Sequence, residues 1–593
     1  MRCGTSFYNT TLGKHLSARF WPLAVVYTLG LILAFPVREL TYQLPYYYDA
    51  SSVIYFTLLP ASQAFRVFVP WVAMVASVIA AMVVCSHLYS TRSANFTAAL
   101  APKRTALFAT HYLTGLFWLV VPFLVVSLAG LGISLYRLPQ APKLVWQLFG
   151  SGIPTGVVAL VLFYSLAVLC GMLTGHLLAL PVFYFTFNFL VGGVWYLLTM
   201  LFQEFYYGYP GSVSITPTWV IWLTPMIPFG KAVYDLPNST DTAVWMVWGA
   251  YGVAGILMAL ASWLLYVKRP MERAGDVVAW AGLRPVFRYG VAVCAGLALG
   301  VLTRLMLDLG QVGLGVSVLL WGVAGCFVAQ MMLTKSVRVL RYWKGAGAVA
   351  LTFLVLFSVV KLDLTGYVNR VPDPAQVKSV EVSGLSYLMS GSLADSNGTW
   401  DQVVLTSQES ITLITQLHQK ALDQRNVEES YIEDPYHAQI TLTYNLTAAP
   451  SIQRQYSFLL SYADRNQPGT LTYDVMQLLN HPDVLKSTYG LDQIQEWEGS
   501  GYTLSRATVY GWPTSDGMYN YVELTSTQAQ AMIQALLLDI DQGNLHQAPW
   551  EGTGRYQISL SWVNQKTANS YIMTIYISDT AIQTINYLNS LGV

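Results

Sequence analysis

The sequence predicts an α-helical polytopic membrane domain of about nine spans, with the N-terminus inside, followed by an extracytoplasmic α+β domain with an internal repeat. Three observations carry this prediction. The 593-residue chain is apolar, with a mean hydropathy of +0.45 and 11% charged residues, which argues against a purely soluble protein. Its charge is split: residues 1–361 hold 22 Lys and Arg against 8 Asp and Glu, a net of +14, while residues 362–593 hold 10 against 23, a net of −13. The two parts therefore suit different surroundings. Finally, apolar runs of the roughly 20 residues that cross about 30 Å of hydrocarbon recur along the first part only.

Residues Thr5 to Arg19 read as an amphipathic helix on the inner membrane surface. The spans fall at Phe20 to Val37, Val67 to Cys85, Ala109 to Leu135, Ile153 to Leu173, His176 to Phe202, Ala243 to Val267, Tyr289 to Leu307, Val312 to Leu333 and Trp343 to Val360. Basic residues set the orientation: the segments assigned inside hold 15 Lys and Arg and the outer loops hold 5. An odd number of spans then leaves the C-terminal domain outside. No small-x-small cleavage site follows the first span, so it reads as uncleaved. All five cysteines (Cys3, Cys85, Cys170, Cys294 and Cys326) lie in the membrane part and none forms a CxxC, which suggests neither a disulfide framework nor a zinc site.

The segment Ser86 to Phe108, between the second and third spans, carries the strongest functional pattern. A polar face of His87, Arg92, Asn95, Lys103 and Arg104 alternates with the apolar anchors Leu88, Phe96, Leu100, Leu107 and Phe108, as in a short helix lying at the inner surface. A plain topology-setting loop has the same charge. The order of a basic N-terminal helix, first span, long outer loop, second span and this motif resembles the permease subunits of type-two ATP-binding-cassette exporters. Between the fifth and sixth spans, Thr218 to Pro228 (TWVIWLTPMIP) is too short to cross and too apolar for water, predicting a re-entrant or interfacial pair of short helices. The same family joins these spans by short outer helices.

The resemblance covers about residues 1–269 and implies a separate ATP-binding-cassette ATPase as partner, docking on the segment His87, Arg92, Asn95, Phe96, Leu100, Lys103 and Arg104. ATP and its hydrolysis would then belong to the partner. It also implies a cytoplasmic-membrane location, a homo- or heterodimer with another permease, and a pathway lined in part by the fifth span, where Asn188, Trp195 and Glu204 are candidates; a helix packed tightly through Gly192 and Gly193 is the equal alternative there. Residues 270–361 add three spans beyond the family's core. Among these, Gly296 and Gly300 have the GxxxG spacing of close helix packing. The basic stretch Lys268 to Arg288 offers either a second partner contact or an attraction to anionic headgroups.

From residue 362 the pattern changes to alternating strands and short amphipathic helices. Leu405-Thr406-Ser407 opens a helix with Ile411, Ile414, Leu417 and Ala421 on one face; 119 positions on, Leu524-Thr525-Ser526 opens another with Ala529, Ile533, Leu536 and Ile540. Thr406 with Glu409, and Thr525 with Gln528, have capping-box spacing. Each helix leads to a hairpin of alternating apolar residues, which predicts repeat units at about 377–490 and 500–593. This part resembles the repeated C-terminal domain of unknown function on some permeases of Gram-positive gut bacteria.

Three common catalytic motifs are missing from the sequence. Gly13-Lys14 and Gly230-Lys231 lack the rest of a phosphate-binding loop, and there is no GxSxG or HExxH. His418 and His481 read as core or surface residues rather than ligands, and the acidic pairs Glu428-Glu429 and Glu433-Asp434 read as a solvated loop. Arg304 and Asp308 read as a helix-end pair. The scarcity of buried carboxylates disfavours an ion-driven carrier. The rival reading is a membrane-anchored sensor whose acidic outer domain binds a cationic peptide. Nothing in the composition points to nucleic acid.

Overall fold

A computed structural model describes residues 8–41, 57, 60–65, 67–99, 102–211, 216–229, 242–270, 273–385, 388–389, 391–395, 398–400, 402–423, 436–511, 521–547, 556–564 and 570–592. The chain forms two compact units: residues 1–198 with 216–355, and residues 199–215 with 356–593.

The first unit is helical. Its elements are α1 (Thr10–Ile32), α2 (Ala73–Cys85), α3 (Thr91–Ala98), α4 (Arg104–Arg137), α5 (Pro142–Leu173), α6 (Ala179–Phe205), α7 (Thr218–Leu223), α8 (Thr242–Lys268), α9 (Arg284–Leu307), α10 (Gln311–Thr334) and α11 (Trp343–Lys361); the last turns of α6 and α11 belong to the second unit. Among the described residues, nine helices are long and apolar enough to cross a membrane, one for each expected span. Several outrun the hydrocarbon. The 34 residues of α4 reach about 50 Å at 1.5 Å per residue, so these helices begin before the apolar run and end after it.

Two departures follow from local chemistry. The N-terminal segment is not a separate surface helix: Asn9 caps α1 by accepting from the Leu12 amide, and the helix continues without a break into the apolar run. Nothing between Thr10 and Phe20 stops a helix, since the segment has neither proline nor an αL cap. Pro36 and Pro70, which cannot donate to the helical ladder, each sit in a π-helical turn (Leu33–Val37 and Phe68–Val72) that absorbs the missing bond.

The most buried of the long helices is α5, which packs against α2, α4 and α8. Near its N-terminus the packing is aromatic: Phe149 meets Phe65 edge-on at 5.3 Å, and in the same cluster Phe68 stacks on Phe123 of α4 at 4.3 Å. The GxxxG pair packs α9 on α10. A methyl group at Gly300 would stand 2.7 Å from the Val318 Cα, and one at Gly296 would stand 3.1 Å from the Gly322 Cα. The Ser317 hydroxyl donates to the Gly300 carbonyl (3.1 Å) across the same seam. The glycines thus join neighbouring helices of one chain. The predicted pair of short helices is present as α7 and a short turn at 226–229, with Phe229 packed between Phe163 and Trp248.

The second unit holds two sheets. The first has strand order β4-β1-β5-β6, with β1 Val377–Ser383, β4 Gln402–Leu405, β5 Tyr436–Leu446 and β6 Ile452–Leu460. The second runs β3-β2-β10-β9-β7-β8, with β2 Gly391–Asp395, β3 Gly398–Trp400, β7 Tyr502–Gly511, β8 Tyr521–Glu523, β9 Tyr556–Asn564 and β10 Ser570–Ile577. Its helices are α12 (Gln408–Asp423), α13 (Leu471–Leu479), α14 (Pro482–Thr488), α15 (Ile494–Gly499), α16 (Ser526–Asp541) and α17 (Ile582–Ser590).

The duplication is visible in the topology. Strands β4-β1-β5-β6 with α12 correspond to β8-β7-β9-β10 with α16, each a short edge strand, a first strand and a hairpin. The predicted inward residues are buried in both copies, Ile440 and Leu442 in one and Ile558 and Leu560 in the other. The capping box at Thr525 and Gln528 forms. Its expected twin does not: Ser407, one residue past Thr406, caps α12 by accepting from the Ser410 amide (3.3 Å), and the helix starts at the next residue, Gln408. The β2–β3 hairpin breaks the symmetry, since it leaves the first copy between β1 and β4 and pairs antiparallel with β10 of the second.

Candidate functional site

The second long helix ends in a 3-10 turn, Ser86–Leu88, whose inward face continues that of α2. Val84 is buried, and three residues later His87 is buried too, its Nδ1 2.8 Å from the Val84 carbonyl oxygen. The residue is therefore not on the polar face that the sequence suggests. His87 instead lies against His111 of α4, with ring centroids 4.2 Å apart and the planes tilted by 30°.

Beyond this turn, α3 sits on the surface. Ala94 is fully buried beneath it, while Arg92, Asn95 and Phe96 face outward and Phe96 is 70% exposed. Lys103 is exposed at the start of α4, and Leu107 and Phe108 are buried as anchors. Leu100 lies outside the described residues, as do the pairs Glu428-Glu429 and Glu433-Asp434.

Arg104 is engaged within the chain. Its guanidinium donates to the carbonyls of Val267 (3.1 Å) and Arg269 (3.4 Å), at the C-terminal end of α8. Arg269 is 2% exposed and caps a second helix, donating through Nη1 to Gly171 O (2.9 Å) and through Nη2 to Thr174 O (2.7 Å), where α5 ends. A cation placed on the free carbonyls of a helix C-terminus satisfies them and complements the helix dipole. Residues 273–280 are stitched to the same end, with Gly175 N donating to Asp276 O (2.8 Å) and Ala279 N to Leu173 O (2.9 Å).

Asp276 then gathers Arg273, Arg284 and Lys335, the last at 2.9 Å. The Lys335 ammonium, with Arg273 and Arg284 behind it, holds this carboxyl below the usual carboxylate range. Much of the basic character of 268–288 is thereby used internally.

The pathway candidates do not gather at one place. Asn188 is fully buried and donates to Tyr184 O (2.9 Å), and Tyr184 donates to Met74 O (3.0 Å). Trp195 meets Trp219 of α7 edge-on at 5.9 Å. Glu204 lies about 24 Å along the helix from Asn188, in the turns that belong to the second unit.

Arg269 has no sequence signal beyond a Lys-Arg-Pro triplet after an apolar run, and His111 is a lone histidine in one. Nor does the sequence single out Glu39, buried at the end of the first long helix, where Ser134 donates to its carboxylate (3.0 Å) and Arg137 donates to its main-chain carbonyl. Asp308 closes α9 in the left-handed conformation, its amide donating to Arg304 O.

Among the described residues no three His, Cys, Asp or Glu side chains cluster as metal ligands would. His418 is a satisfied core residue, 3.1 Å from the Tyr444 hydroxyl and 2.7 Å from the Tyr456 hydroxyl, and His481 caps α14. No protein-family model matches the chain, and no curated protein or solved structure matches it.

Proposed function

We propose that this chain is the membrane subunit of an ATP-driven exporter of the ATP-binding-cassette type, working in the cytoplasmic membrane with a separately encoded ATPase and with the C-terminal domain outside. One observation carries the reading: α3 presents Arg92, Asn95 and Phe96 on its outward face, while Ala94 on its underside, Leu88 before it and Leu107 after it are buried. An exposed aromatic beside a cation is the composition of an interface anchor. A push on α3 has a route into the bundle, because Arg104 and Arg269 join the segment that follows it to the ends of α8 and α5. Closure of the partner's nucleotide sites would then rock these helices between two states.

Two further points support the reading. Nine membrane-length helices suit a permease, and no phosphate-binding loop in the chain competes with a separate ATPase. Co-purification tests it: an ATPase carried along with the full chain should be lost on the double change Phe96→Ala and Arg92→Ala. Undiminished recovery would remove α3 as the docking element.

The sensor reading rests on the net charge of −13 in residues 362–593. Reconstituted vesicles separate the two, since a sensor binds a cationic peptide with no ATP-dependent movement of cargo.

A further inference from the structure

The fifth long helix does not end in a free loop. Its last turns, and residues up to Gly211, belong to the same compact unit as the C-terminal domain. β6 is the outer strand of its sheet, and an outer strand leaves a row of amides and carbonyls without a ladder partner. Here that edge is met at Gln455. The Gln455 amide donates to Gly208 O (3.1 Å), and the Gln455 side-chain oxygen accepts from the Gly211 amide.

Side chains hold the same segment. The Tyr207 hydroxyl donates to Ala421 O at the end of α12 (3.2 Å), and its ring lies 5.5 Å from that of Tyr456. The rings of Tyr206 and Tyr209 flank Tyr367 at 5.2 and 5.6 Å, and Tyr367 also stacks with the Arg454 guanidinium at 3.8 Å. Gly208 has φ +79°, and a side chain there would stand 2.5 Å from the Tyr456 ring, so only glycine allows the approach. Behind Tyr456 the network continues into the buried His418.

We infer that residues 206–211 are a strap built into the C-terminal domain: they meet the open edge of β6 at Gln455 and fasten the end of the helix bearing Asn188 and Trp195, so that this helix end and the domain move together. A connecting loop would need neither main-chain pairing with β6 nor three tyrosines packed on domain residues. The inference stands whether or not the chain partners an ATPase, because it concerns only contacts within one compact unit.

Hydrogen–deuterium exchange on the full chain in nanodiscs tests it. Residues 206–211 and 452–460 are expected to exchange at matching slow rates. In Gly208→Val both segments should exchange at least tenfold faster. Tyr207→Phe, which removes one hydroxyl and keeps the ring, should speed 206–211 a few-fold while 556–577 is unchanged. The inference is overturned if 206–211 of the unaltered chain exchanges as fast as an unprotected loop, or if Gly208→Val speeds one segment and leaves the other as it was. The strap reading and the exporter reading fail separately, since the first is read by exchange and the second by co-purification.

Discussion

The Arg104 guanidinium lies 3.4 Å from the carbonyl of Arg269, whose own guanidinium reaches the last carbonyls of α5. Two arginines in series thus join the start of α4 to the ends of α8 and α5. The first is exposed and the second is buried, which separates their expected contributions.

Arg269→Ala should strip the α5 terminus of its donors. Carbonyls at Gly171 and Thr174 would lose charge-assisted bonds in a buried setting, at a cost of about 3 kcal/mol. Arg269→Lys should recover only part, because an ammonium lacks the planar fork. Arg104→Ala, at an exposed position, should cost less than about 1 kcal/mol. Thermal unfolding of the purified chain, followed by tryptophan fluorescence, ranks the three.

Phe96→Ala should leave stability within about 0.5 kcal/mol of the unaltered chain, since the ring is 70% exposed and caps no core. On the proposed function, the same change should weaken ATPase binding at least tenfold, about 1.4 kcal/mol. Melting and affinity measurements on the same preparation check both halves of this statement.

Acid should loosen the C-terminal domain through His418. Burial, with Arg454 nearby, pushes this imidazole down to about 4 from an ordinary value of 6.5. Above pH 6.5 the ring is neutral in both folded and unfolded chains, and its contribution is complete. As pH falls from 6.5 towards 4 the unfolded chain takes up a proton that the folded one refuses, and stability drops by up to about 3 kcal/mol. Melts at pH 7, 5.5 and 4.5 should show this slope, and His418→Gln should flatten it while lowering stability at pH 7.

Gly300→Leu should pry α9 from α10, because even a methyl group would stand 2.7 Å from the Val318 backbone. Overpacking of this kind costs about 1–3 kcal/mol or more. Gly347→Ala in α11 provides the contrast. Nothing stands within 4 Å of the added group, so stability should hold or rise. Melting curves of the two variants decide it.

The long helices were legible because each needs an apolar run of fixed minimum length, a constraint that the bilayer imposes on the sequence itself. Their ends were not, since polar residues such as Arg104 and Lys143 extend a helix into water as readily as they end it. The repeat was legible through its periodicity, down to the capping box at Thr525. The first cap lies one residue beyond Thr406 because Thr406 and Ser407 can both cap and only Thr406 has the Glu three residues on that completes the box pattern, whereas the helix starts from Ser407. The outward face of α3 could be read from spacing, whereas the burial of His87 depends on which side of α2 meets α4. Arg269 and Tyr207 act through partners about 100 and 214 positions away. No local pattern carries that information.

Strand β2 starts in one copy of the duplicated fold and is hydrogen-bonded to β10 of the other. Tandem copies ordinarily keep the freedom to hinge apart and close on cargo, as jaws do. Here the borrowed strand handcuffs them, and opening the jaws would tear a ladder of main-chain bonds. Prising the two copies apart therefore has to break the rungs from Gly391 to Asp395 first.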